Sequence, residues 1–493
     1  MNTKPQIQVV WLKRDLRLLD NEAIFNALKT GKSTLLLYCF EPILLNDSHY
    51  SQRHWNFIKE SITDLNMALK PYNSKVLAVQ MDVIPAFNQL LNHYRITDVF
   101  SHQETGILIT YERDKNFKRF CKNNLIVWHE NTNNGIQRGL RTREGWSDLV
   151  DEYYEKAPLP FTPNENQLIS ISRTEALEGY FHLPDLQTPS ESPFQKGGRT
   201  NGLRYLNSFF KDRHTNYMQH ISKPELSRSS CSRISPYLAW GNLSVREVYH
   251  KAYKLTQEKT YKKNLEAFMS RLRWQTHFIQ KFEMEHTMEH ASVNKGFRKL
   301  KKSISHAYQD AWKNGQTGYP LVDACMRCLN ETGYLNFRMR ALVVSFFTHN
   351  LWQPWQAATK HLSQQFLDFE PGIHFPQLQM QAGETGINML RIYNPIKNSK
   401  EHDPDATFIK KWVPELKNLD TPFAHEPYLM TEMEQQLYNV QLGTNYPKPI
   451  VNLDITRKKA GDKLWKLRKD KTVLEESQRI LKTHTLRKQT AKQ

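Results

Sequence analysis

Cysteine is scarce in this chain. Cys39, Cys121, Cys231, Cys325 and Cys328 are the only five in 493 residues. They are too few and too scattered for a disulfide framework, and they point to a reducing compartment, the cytoplasm. Cys325 and Cys328 have CxxC spacing, but no second pair of ligands stands near them. They read as buried structural thiols, and no metal site is expected. Long apolar runs are also missing. None approaches the ~18 residues a membrane span needs, and the opening MNTKPQIQVVWLKRDLRLLDN has no signal-peptide core. The expectation is a soluble intracellular protein with no membrane role. Neither GxGxxG nor a P-loop follows the first predicted strand, which excludes an ordinary dinucleotide or triphosphate site there. Acidic residues are in deficit: 50 Asp+Glu face 68 Lys+Arg, a formal net charge of +18. That excess favours a polyanionic partner such as nucleic acid, with an anionic membrane surface as the other choice. Residues 456–493 hold thirteen Lys/Arg against four Asp/Glu, so half of the excess lies in the tail.

What is present divides the chain. The length allows two or three domains. Over residues 1–130, short apolar runs (IQVVWL, STLLLYCF, KVLAVQM, ITDVF, LIVWH) alternate with amphipathic segments such as NEAIFNALKT and AFNQLLNHYR. This strand–helix alternation predicts a Rossmann-like parallel sheet with helices on both faces. Residues 131–200 carry Pro158, Pro160, Pro163, Pro184, Pro189 and Pro193, then Gly197-Gly198, and read as a long linker crossing a surface. Residues 201–455 show helical periodicity throughout (RYLNSFFKDR, SVREVYHKAYKL, NLEAFMSRLRWQTHFIQKF, FRMRALVVSFFTHNLW) and predict an all-helical domain. The fold class is therefore α/β plus all-α. Residues 456–493 form a basic tail short of large apolar residues, expected to be a solvated helix or disordered.

Several clusters carry chemistry on residue type alone. Arg14-Asp15-Leu16-Arg17 ends the first strand, at the edge where open α/β sheets collect ligands. It reads equally as a charged loop with internal ion pairs. Ser230, Ser232 and Ser235 precede a helix, where hydroxyls and backbone donors suit a phosphate or simply cap the helix. Trp274 lies among Arg271, Arg273 and Gln275; an aromatic among cations suits a flipped base, or a core helix face. Arg338, Arg340, Asn336 and Asp368 interrupt apolar surroundings, where charge must be paired or meet a polar ligand.

These segments together resemble the DNA photolyase/cryptochrome family. The resemblance is carried by VVWLKRDLRLLDN (9–21), SRISPYLAWGNLS (232–244), the run from Trp312 to Phe347, LDFEPGIH (367–374), GETGINMLRIYNP (383–395) and DPDATFIKKWVPEL (403–416). It implies an N-terminal antenna domain of α/β type, a long linker and a C-terminal helical domain holding non-covalent FAD. It further implies an antenna chromophore of unknown identity. Of the family's antenna-contact segment, Tyr111-Glu112-Arg113-Asp114 keeps the Glu but lacks the preceding Asn. As FAD-binding residues it implies Tyr217, Ser232, Ser235, Arg340, Asp368, Glu370 and His374. For catalysis it singles out Trp274, Asn336, Trp355 and His374, and for DNA contact Arg271, Trp274 and Gln275. Arg340 and Asp368 are expected to pair beside the flavin ring. His374 falls where photolyases usually have Asn, and is expected to exchange protons near neutral pH.

Departures bear on function. The family has a Glu three residues before the lesion-contacting Trp and an Arg directly after it; Arg271 and Gln275 stand there instead. Trp355 matches the middle of the family's three electron-carrying tryptophans, but Leu378 replaces the one nearest the flavin. Reduction must then pass through Trp352, Trp355, Tyr334 or Tyr393, or be slow. The first expectation is a monomeric photolyase that splits cyclobutane pyrimidine dimers in DNA by light-driven electron transfer. The alternatives are a cryptochrome-type blue-light receptor and a (6-4) photolyase. The latter usually has two His where Phe337 and Ala341 stand here.

Overall fold

A computed structural model describes residues 4–258 and 260–485. Five parallel strands, β1 (Gln6–Leu12), β2 (Thr34–Cys39), β3 (Leu77–Val79), β4 (Arg95–His102) and β5 (Val127–Asn131), form one sheet in the order β3-β2-β1-β4-β5. Alternate side chains leave a strand on opposite faces. Val9, Trp11, Leu35 and Leu37 accordingly enter a core under helices Val83–His93 and Leu108–Asn123. Val10, Leu12, Leu36 and Tyr38 enter the larger core that continues into the helical part. Burial on both faces is why these strands read as near-continuous apolar runs.

The loop after β1 ties the two halves together. Arg14 donates to the carbonyls of Ala239 and Phe369 and lies 3.4 Å from the Glu370 carboxylate. Arg17 donates to Gly241 O at 3.1 Å, and Asp20 accepts from Arg246 Nε at 3.0 Å. Asp15 pairs with His102. The segment, read from sequence as a ligand-collecting edge or a charged loop with internal ion pairs, is a buried clamp that gives most of its arginine donors to the other domain. Gly241 has φ +74°, and a Cβ there would lie 2.4 Å from Arg14 O, so only glycine lets the segments of this clamp meet.

The proline-rich stretch contains two helices, Trp146–Glu155 and Ile171–Glu178, and is packed rather than loose. Trp146, Val150 and Tyr154 are buried, and the Tyr154 hydroxyl is 2.9 Å from Thr276. Five helices give the helical domain its working shape: α1 (Lys262–Met284), α2 (Phe337–Ser345), α3 (Pro371–Gln381), α4 (Leu453–Arg468) and α5 (Lys471–His484). Helices α1 and α3 cross at Gly372, where a Cβ would lie 2.8 Å from the Ile279 backbone. Cys325 and Cys328 are fully buried in helix Pro320–Thr332.

The basic tail differs from expectation. Residues 453–484 form the docked hairpin α4–α5, with Leu453, Ala460, Leu464, Val473 and Ile480 buried. Glu285 on the body accepts from both arms of Arg479 at 3.0 Å and sits 2.9 Å from His484 Nε2. The few buried apolar residues recur at helical spacing (453, 460, 464; 473, 480), so a sparse stripe suffices to dock a helix whose average composition is polar. Residues 486–493 lie outside the described residues.

Candidate functional site

A cavity of about 740 Å³ opens in the helical domain between α1, α2, α3 and the segments 217–235 and 388–393. Its volume falls in the range of small-molecule and cofactor sites. Eleven of the expected site residues line it: Tyr217, Ser232, Ser235, Arg271, Trp274, Gln275, Asn336, Arg340, Asp368, Glu370 and His374. Trp355 does not; it is fully buried at the start of helix Trp355–Gln365 and donates to Ser292 Oγ at 3.2 Å. Its single polar group is used in the core, behind the wall.

One wall is a polar turn. Arg213 donates to the carbonyls of Ser229 and Cys231 and holds the turn before Ser232 in place. Arg233, at φ +59°, lays its guanidinium 3.8 Å from the Tyr334 ring, and its buried Nε has no protein partner. Ser232 and Ser235 flank this arginine on the cavity wall.

The deep wall carries charge. Arg340 Nη2 donates to Asp368 Oδ2 at 2.8 Å, its Nε donates to Leu335 O at 2.9 Å, and the guanidinium stacks 4.0 Å over Phe366. Burial opposes ionisation of Asp368, yet Arg340 holds its carboxyl below the usual range, helped by the Ser235 hydroxyl. Asp368 Oδ1 is buried without a partner. Glu370 caps α3 and faces Arg14; burial raises its carboxyl despite that cation.

Two residues differ from the roles expected of them. The amide of Asn336 is spent at both ends: Oδ1 accepts from Met339 N at 3.2 Å as the cap of α2, and Nδ2 donates to Ile221 O at 3.0 Å. It shapes the wall. His374 Nε2 bonds Thr359 O at 3.1 Å, and burial pushes the imidazole down to about 3. A ring that donates from Nε2 and stays neutral offers Nδ1 as an acceptor, and burial disfavours the protonated imidazole that the expected proton exchange would need.

The mouth is aromatic and cationic. Arg271, Trp274 and Gln275, spaced i, i+3, i+4, share one face of α1. Trp274 is 49% exposed and stacks on Phe278 at 5.7 Å. Phe337 and Met389, 52% and 75% exposed, line the same cavity, with Arg338 and Arg391. Met389 and Arg391 escape residue-type reasoning: Met389 sits among Ile387, Leu390 and Ile392, so its exposure has no signature in the sequence. Leu378 lines the wall, as do Tyr334 and Tyr393; Trp352 does not.

Fold and cavity define a two-domain protein whose helical half is shaped around a ligand with both apolar and anionic parts. Comparison with known proteins agrees. Residues 268–466 match the FAD binding domain of DNA photolyase, and residues 8–137 match the DNA photolyase domain. The chain is 28% identical to a cryptochrome DASH of Synechocystis sp., over 92% of this chain and 96% of that one. It is 24% identical to a deoxyribodipyrimidine photo-lyase of Alkalihalophilus pseudofirmus, over 93% and 98%. The crystal structure of the Synechocystis sp. cryptochrome superposes with a TM-score of 0.84, at 23% identity, covering 94% of this chain and all of that one. The protein belongs to the DNA photolyase/cryptochrome family, and its helical domain is an FAD-binding domain.

Proposed function

We propose that this protein is a light-dependent DNA photolyase acting on cyclobutane pyrimidine dimers. The carrying observation is the mouth: a half-exposed Trp274 between Arg271 and Gln275 lines the FAD-type cavity together with Arg338 and Arg391. A base taken out of a duplex needs a stacking surface and cations for the adjoining phosphates, and the net charge of +18 favours the same polyanion.

The cavity fits FAD chemically. Ser232, Ser235 and Arg233 offer donors for a pyrophosphate, with the Arg233 Nε lacking any protein partner. Asp368 Oδ1, equally unpartnered, is an acceptor for a ring N–H, and Arg340 beside it places fixed positive charge where an electron-rich ring would lie. Tyr217 and His374 complete the wall, the latter as a neutral acceptor. When bound in its reduced form, FAD supplies on excitation the electron that opens the dimer. Trp274 stacks on the extruded dimer, Arg271 and Gln275 hold its edge and backbone, and Phe337 and Met389 close the far side against water.

A second reading, a blue-light receptor of cryptochrome type, is supported by Leu378 at the cavity wall and by relatives named cryptochrome DASH. A (6-4) photolyase is disfavoured by Phe337 and Ala341. The deciding assay illuminates the FAD-loaded protein, with reductant, on DNA carrying defined dimers. Light-dependent loss of cyclobutane dimers, abolished in Trp274→Ala, is expected. No loss of either lesion type, with FAD bound and photoreducible, would reverse the order of the two readings.

A further inference from the structure

The described cations on α4 have no carboxylate partners. Lys458, Lys459, Lys463 and Lys466, with Lys469 just beyond, are all exposed, and none forms an ion pair among the described residues. On the neighbouring α5 two of the three Lys/Arg are paired: Lys471 faces Glu475 and Arg479 is bound to Glu285, while Lys482 has no ion pair among the described residues. A cationic row without carboxylate partners is a surface available to an anion.

The fold places that row beside the cavity mouth. Arg468 Nη2 donates to the carbonyls of Gly386 and Asn388, Leu464 packs with Leu390, and Gly461 lies against Ile392. These contacts seat α4 directly behind the loop whose Asn388, Met389 and Arg391 line the mouth. Gly461, Leu464 and Arg468 mark the seated face; Lys458, Trp465 and Lys469, at i, i+7 and i+11, form the exposed edge next to it. Trp465 is 53% exposed, with Arg468 5.3 Å from its ring.

Resting on the DNA reading above, we propose that α4 is a second nucleic-acid contact, gripping the phosphodiester backbone of the duplex that flanks the base held at the mouth. Lysines serve there as point charges on phosphate, which set position and affinity without reading sequence.

The test is the salt dependence of binding by the full, FAD-loaded chain. The variant Lys458→Ala/Lys459→Ala/Lys466→Ala/Lys469→Ala alters only exposed, unpaired side chains, and its melting temperature is expected to match the wild type. On duplexes with and without one cyclobutane dimer, the slope of log K against log salt should become shallower by about 0.9 for each lysine that touches phosphate. The preference for the dimer should stay unchanged. Trp274→Ala should do the opposite, lowering the preference and keeping the slope. An unchanged slope and affinity in the lysine variant, while the wild type binds DNA, would overturn the proposal and leave the DNA reading standing. A variant that loses binding to vesicles of anionic phospholipid but not to duplex DNA would equally overturn it. No DNA binding by the wild type at any salt would instead remove the functional reading on which it rests.

Discussion

The Arg340–Asp368 pair shows how much one residue's surroundings decide. Arg340 is fastened by Leu335 O and Phe366 as well as by Asp368, so it stays in place when its partner changes. In Asp368→Asn the cation would lose its counter-charge in a largely buried setting and the cavity would lose its one unpartnered anionic oxygen. The expected result is protein purified with little or no FAD, read from flavin absorbance, and a stability loss of about 2 kcal/mol in urea unfolding. Full FAD content in that variant would place the carboxylate outside the ligand's reach. The sign with pH follows from the depressed Asp368 value: its contribution is present above the ordinary carboxylate range near 3.8 and is lost as pH falls through the lower folded value. Residue identity made some of this legible. A charge in an apolar run announces a partner or ligand, and 271, 274 and 275 announce one helix face. Sequence could not announce that both ends of the Asn336 amide are used, or that burial takes His374 out of the neutral range. Those depend on neighbours such as Ile221 and Thr359, more than a hundred residues or a helix away.

At the scale of elements, the site depends on how closely α1 and α3 approach. Trp274 is on α1, whereas Glu370 and His374 belong to α3 and its cap; Gly372 sets the separation. Gly372→Ala would press a methyl group against the Ile279 backbone, which cannot move aside as a side chain can. The expected cost is about 1–3 kcal/mol, with weaker FAD retention; unchanged thermal unfolding and flavin content would show that the helices have room to part. The hairpin α4–α5 gives the complementary lesson. Averaged over the tail, composition points to solvent, and thirteen cations hide four buried apolar side chains, Ala460, Leu464, Val473 and Ile480. Periodicity held the signal that composition masked. The strands were easier to read because burial on both faces leaves unbroken apolar runs, and parallel pairing demands the intervening helices.

The whole molecule is held by buried polar groups whose charge states pull in different directions with pH. Five histidines are buried or half-buried: burial pushes His54 and His361 down to about 4, and His277, His349 and His374 to about 3. Each titrates near 6.5 when the chain is unfolded. For a base whose folded value is depressed, stability is complete above the unfolded value. It falls as pH drops, because the unfolded chain takes up a proton that the native one refuses. The loss begins near pH 6.5, at up to about 1.4 kcal/mol per pH unit for each histidine, and ends only at the folded values of 3–4. Carboxylates with depressed values, such as Asp15 and Asp20 in the interdomain clamp, act lower down, below about pH 4. Between pH 6.5 and about 4 the histidines act before these carboxylates do. Urea unfolding at steps from pH 7.5 to 5 should therefore show stability declining steeply through a window where the clamp's carboxylates are still charged. His361 offers the simplest check, since its Nε2 has no partner and the residue does not line the cavity. His361→Gln should reduce the slope by one proton's worth while FAD content stays constant. A flat profile between pH 6.5 and 5 would mean that these rings are reached by water in the native state, and that the core around Trp312 and His361 is looser than its packing indicates.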